Sequence, residues 1–104
     1  MYRTYSLTFD AFGMANVLPQ LYAFVQANAF TYQFYAPFNG CILIKSMADL
    51  LVLTGSYNAF FSGTHFLISE VDPGKTGGRL AQEVWDWLNN PEPPLIPYTP
   101  LGPA

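Results

Sequence analysis

"FTYQFYAPFNGCILIKS", residues 30–46, decides the fold. Two runs rich in aromatic and β-branched residues flank Pro37-Phe38-Asn39-Gly40, and Asn-Gly favours the positive φ of a two-residue hairpin turn. The stretch predicts a β-hairpin in mid-chain. What stands on either side of it sets the architecture.

Upstream, "YRTYSLTF" at 2–9 alternates, with Tyr5, Leu7 and Phe9 on one side and Thr4, Ser6 and Thr8 on the other. A period of two predicts a half-buried strand, ended by Asp10. From Asn16 the period changes: Leu18, Leu21, Tyr22 and Val25 mark one helix face as far as Asn28. Asn16 fits an N-cap, and Pro19 falls in the first turn, where its missing N–H costs least. Downstream of the hairpin, Ser46 followed by Asp49 has capping-box spacing, and Leu50, Leu53, Tyr57, Phe60 and Phe61 keep helical intervals. "LLVLTG" within this segment fits a strand as well, since Gly55 weakens a helix interior by about 1 kcal/mol relative to Ala. "THFLISEV" at 64–71 predicts another strand, and "DPGKTGG" at 72–78 a turn. In the last helix Leu80, Val84, Trp87 and Leu88 form the apolar face and Arg79, Gln82, Glu83 and Asp86 the wet one.

The order strand, helix, strand, strand, helix, strand, helix predicts an α+β domain over residues 1–90. It is the ferredoxin-like β-α-β-β-α-β antiparallel sheet with an added C-terminal helix. Both crossover helices lie on one face of such a sheet. The aromatic content of the strands requires cover on the other face, from the last helix or from a second subunit. Residues 91–104, "PEPPLIPYTPLGPA", are a proline-rich tail with Pro91, Pro94, Pro97, Pro100 and Pro103 at the three-residue period of polyproline II. It reads either as a flexible end or as a segment that docks Leu95, Ile96, Tyr98 and Leu101 into an aromatic groove.

Charge is sparse. Only 11% of the 104 residues are charged, against about 25% in an average domain, while 17% are aromatic. No charged residue occurs from Ala11 to Ile44 or from Leu50 to Ser69. Apolar surface that meets a partner follows, and a homodimer is expected, with Tyr32, Phe34, Tyr35 and Tyr98 as its interaction residues. A net charge of −3 with four basic residues, Arg3, Lys45, Lys75 and Arg79, argues against nucleic acid. The charge-free runs are interrupted by Pro, Gln, Asn, Gly, Ser and Thr, which argues against a membrane span of about 20 apolar residues. The alternating start lacks the apolar block of a signal peptide, so a cytoplasmic location is expected. Cys41 is the lone cysteine, so no internal disulfide forms.

Gly74-Lys75-Thr76 invites comparison with a phosphate-binding loop. The leading glycine of that motif falls at Ser69, and Pro73 inside the loop has no N–H to offer a phosphate. A turn is the better reading. Cys41 and His65 are candidates for a thiol–imidazole pair, although buried small Cys and strand-end His are the usual outcome.

"YSLTFD" at 5–10 and "HFLISEV" at 65–71, with the element order between them, resemble small ferredoxin-like families. These are the SinR-like proteins, the VapD-like ribonucleases and the small subunit of the CRISPR adaptation complex. The resemblance spans about residues 2–71 and implies a homodimer. It also implies, for the nuclease members, that the Asp matching Asp10 from each subunit brackets a divalent cation such as magnesium. Those nucleases carry basic residues after the first strand, and residues 11–44 here carry none.

Three functions therefore stand in order. The first is a self-associating interaction module with no cofactor and no evident catalytic residue. The second is a metal-dependent nuclease, or an inactive relative, using Asp10. The third is a small-ligand sensor with a pocket between the sheet and the last helix, near Trp85, Trp87 and Tyr98.

Overall fold

The computed structural model describes residues 2–90; the tail, and Tyr98 within it, lie outside the described residues. The chain is α+β. Its strands are β1 (Arg3–Phe9), β2 (Gln33–Phe38), β3 (Cys41–Ser46) and β4 (Phe66–Val71), and its helices α1 (Leu18–Ala27), α2 (Leu50–Asn58) and α3 (Gln82–Asn89). The strands form one four-stranded sheet in the order β2-β3-β1-β4, and every pairing is antiparallel.

The hairpin forms on Asn39-Gly40. Phe38 pairs with Cys41 across the turn, and Gly40 takes φ +89. A Cβ on Gly40 would come within 3.3 Å of the Phe9 carbonyl, whose own N–H donates to the Gly40 carbonyl at 3.1 Å. Positive φ and close backbone approach both favour glycine there. The β2–β3 register slips between Tyr35 and Phe38, where Pro37 has no N–H to give the ladder.

Helix starts differ from expectation in detail. Asn16 lies inside a 3₁₀ turn, Ala15–Val17, that leads into α1; Val17 holds the N-cap position and no side chain caps the helix. Pro19 does sit in the first turn. Asp49 caps α2 by accepting from the Val52 N–H at 2.9 Å, and Ser46 bonds only its near neighbour, accepting from the Ala48 N–H at 3.0 Å. With that cap in place, "LLVLTG" is helical. α3 begins at Gln82, so Leu80 belongs to the approach segment.

Two cores sandwich the sheet. On one face Leu21 and Val25 of α1 and Leu53 and Tyr57 of α2 pack on Tyr5, Leu7, Phe34, Ile42, Ile44 and Ile68. Burial of each large apolar side chain contributes about 1.5–3 kcal/mol, which is ample to fix the register of a sheet whose side chains alternate. Phe61 stacks on Phe66 at 4.7 Å and closes one end of this core. On the other face Cys41 and Leu43 meet Val84, Trp87 and Leu88 of α3. The cover expected from either the last helix or a second subunit comes, over β2 and β3, from the chain's own last helix.

Candidate functional site

α3 covers part of the second face. It is anchored over β2 and β3, where the Tyr35 ring meets Trp87 edge-on at 4.8 Å. Toward β1 the face opens, with Ser6 half-buried and Thr8 exposed. The segment between β4 and α3 crosses this opening, and the space enclosed is a pocket of about 410 Å³. Leu43, Val71, Leu80, Trp85 and Leu88 line it, Ser6 and Cys41 form its floor on the sheet, and Thr76, Gly77, Gly78 and Arg79 form its lip. The volume lies within the roughly 300–1,000 Å³ of small-molecule sites.

The lip is the glycine-rich turn of the sequence, and its hydrogen bonds define its role. Asp72 Oδ1 accepts from the Gly74 N–H at 2.9 Å. The Asp72 carbonyl accepts from the Lys75 N–H at 2.9 Å and from Thr76 Oγ1 at 2.6 Å, and the Pro73 carbonyl accepts from the Thr76 N–H. A phosphate cradle needs those backbone N–H groups unspent. Here the Gly74, Lys75 and Thr76 N–H groups are consumed within the turn, which serves as a rigid base from which Thr76–Arg79 extends over the pocket.

A polar seam fixes the other end of α3. Trp87 Nε1 donates to Gln33 Oε1 at 2.9 Å, and Lys45 Nζ donates to the Asn90 carbonyl at 2.7 Å. Lys45 is 1% exposed, and its ammonium lies 4.8 Å from the centre of the Trp87 ring. Burial lowers the Lys45 pKa from 10.5 to about 8. The helix carbonyl end and the aromatic face offset only part of what burial costs the ammonium. Lys45 nonetheless fastens α3 to the sheet.

The candidates named from sequence separate. Asp10 is exposed, and Oδ1 accepts from the Gly13 N–H at 3.1 Å while its carbonyl accepts from the Met14 N–H at 3.0 Å. It shapes its own turn. No group of three or more His, Cys, Asp or Glu side chains able to hold a metal ion occurs among the described residues. Cys41 and Leu67 both face Thr8, from opposite sides, so β3 and β4 are two strand spacings apart, about 10 Å. His65 precedes β4 and is exposed, and burial raises the Cys41 thiol pKa, so the two do not form a pair and the thiol is not activated. Phe34, expected at an interface, is 1% exposed in the intramolecular core. Tyr35 is half-buried beside Trp87, and Tyr32 is half-buried and stacked on Tyr2 at 3.9 Å. Trp85 lines the pocket while Trp87 is spent on the seam.

Sequence reasoning did not identify Lys45 as a fastener or Ser6 as pocket floor. The signal for both was parity: Cys41, Leu43 and Lys45 share one face of β3, and Thr4, Ser6 and Thr8 share that face of β1. Apolar residues also remain outside both cores. Leu51 is 83% exposed and Val52 45% on the outer side of α2, with Met47 just before it at 65%. Among the described residues no helix is long and apolar enough to cross a membrane. Comparison with protein-family models, with curated proteins and with solved structures finds no match to this chain.

Proposed function

We propose that this protein is a ferredoxin-like module that binds a small apolar molecule between its sheet and its last helix. The observation that carries the reading is the pocket of about 410 Å³. Its walls are aliphatic and aromatic, its floor offers one hydroxyl and one thiol, and a glycine-containing strap crosses its mouth. A largely preformed apolar cavity with a few polar groups is the form that small-molecule sites take. Support for the ferredoxin-like arrangement comes from the order β-α-β-β-α-β, with β1 and β3 central in the sheet and α1 and α2 packed on one face.

The test is thermal stability in the presence of small aromatic compounds, for wild type and for Ser6→Phe, which fills the floor. A ligand that binds only the folded state raises the melting temperature in proportion to the logarithm of its saturation. Stabilisation of wild type that is lost in a folded Ser6→Phe protein supports the reading, and no stabilisation by any compound at millimolar concentration counts against it.

A second reading, self-association into a homodimer, is favoured by the outer side of α2. The first turn of α2, Leu50–Leu53, is apolar on all sides, and it leaves Leu51 and Val52 exposed. The surface involved differs from the aromatic strand face expected from sequence, because α3 already packs there. Sedimentation at micromolar concentration tests this reading.

A further inference from the structure

We infer that the ligand of the pocket beneath α3 is an anion: a flat apolar molecule of one or two rings that carries a carboxylate. The inference rests on the ligand-binding reading above and adds the charge of the occupant to it.

Three observations lead there. Arg79 is the one charged side chain in the pocket lining among the described residues, in a protein whose net charge is −3. Arg79 is exposed at the lip and makes no hydrogen bond or ion pair with another described residue, so its fork of donors is unspent. The rest of the lining is largely apolar, with Leu43, Leu80, Leu88 and the half-buried Trp85. A guanidinium at the mouth and aromatic or aliphatic walls within complement an amphipathic acid, ring inward and carboxylate outward. A neutral ligand would leave the cation without a partner, and a dianion would meet only one. The Gly74, Lys75 and Thr76 N–H groups are already bonded to Asp72 and Pro73, so they add no donors to those that Arg79 supplies. Gly77 and Gly78 precede Arg79 in the lip, and a Cβ on either would meet nothing within 4 Å, so this part of the strap has space in which to move as a ligand enters.

The experiment is calorimetric titration of 2-naphthoate and of 2-naphthamide, which share a ring and differ in charge, into wild type, Arg79→Gln and Ser6→Phe. In low salt, 2-naphthoate is expected to bind wild type about fivefold more tightly than 2-naphthamide, the margin of an exposed ion pair. Arg79→Gln should remove that margin while leaving 2-naphthamide unchanged, and Ser6→Phe should weaken both. Equal affinity of the two probes for wild type, or a margin that survives Arg79→Gln, overturns the inference and leaves the cavity reading standing. Failure of both probes to bind wild type at millimolar concentration overturns both.

Discussion

The Trp87 indole donates to the Gln33 side-chain carbonyl at 2.9 Å, across 54 residues of chain, and so ties the last helix to the first strand of the hairpin. The bond is buried. Trp87→Phe keeps an aromatic ring against Tyr35 but deletes the donor and weakens the contact with the Lys45 ammonium. A buried acceptor that loses its partner costs about 1–3 kcal/mol. Urea denaturation should show that loss, with amide exchange accelerating first in α3. Unchanged stability would mean that α3 is held by apolar burial alone.

Lys45 gives the protein an unusual alkaline response. Its pKa is about 8 in the fold against 10.5 unperturbed, so between those values the unfolded chain holds a proton that the folded chain has released. Stability contributed by this group therefore rises with pH across that window. Cys41 acts in the opposite sense above pH 9, and Tyr22, Tyr35 and Tyr57 do so above pH 10, because burial raises their pKa values. Urea midpoints measured from pH 7.5 to 9 should rise in wild type and stay flat in Lys45→Met, which retains the apolar stem. Identical slopes in the two proteins would contradict this.

Tyr57 is fully buried in the helix-covered core, with its ring edge-on to Phe24 at 5.2 Å, yet its hydroxyl lacks a partner in hydrogen-bonding geometry. Thr31 Oγ1 is likewise without a partner in hydrogen-bonding geometry among the described residues, although it lies near enough to lower the phenol pKa against the larger rise from burial. Burial pushes the phenol pKa up to about 12. Tyr57→Phe removes an unsatisfied polar atom and keeps the ring, so stability at neutral pH should be unchanged or raised by about 1 kcal/mol. The loss of stability between pH 10 and 12 should also shrink, since the fold no longer has to keep that phenol protonated. A clear destabilisation at pH 7 would show that the hydroxyl has a partner.

The outer side of α2 presents Leu51 one helical turn before Gly55, and a Cβ at Gly55 would meet nothing within 4 Å. A projection and a gap on the same face suit two-fold pairing, in which each Leu51 rests over the other copy's Gly55. Leu51→Asp, at an exposed position, should leave monomer stability within about 0.5 kcal/mol of wild type while abolishing any dimer seen by sedimentation. A dimer that persists in the variant would remove α2 from the interface.

Much of this architecture is written in local chemistry. Gly40 marks its turn because few residues other than glycine accept its positive φ, and the alternation of β1 is visible because only one of its faces is strongly apolar. Tyr5 and Leu7 are buried as their parity requires. Long-range choices were not visible. Phe34 and Tyr35 look equivalent in sequence, yet one enters the helix-covered core and the other meets α3, which depends on register. Lys45 reads as a strand-end surface charge until α3 closes over it. The pocket has no local signature, because its lining comes from all four strands, from α3 and from the segment before α3.

The most direct measurement is a nitrogen–proton correlation spectrum recorded during titration with 2-naphthamide. Shifts confined to Ser6, Phe38, Cys41, Leu43, Val71, Trp85, Leu88 and the 76–80 segment, saturating together with one affinity, are the predicted result. Shifts scattered over the surface, or centred on the outer side of α2, would show that the space beneath α3 is not a binding site.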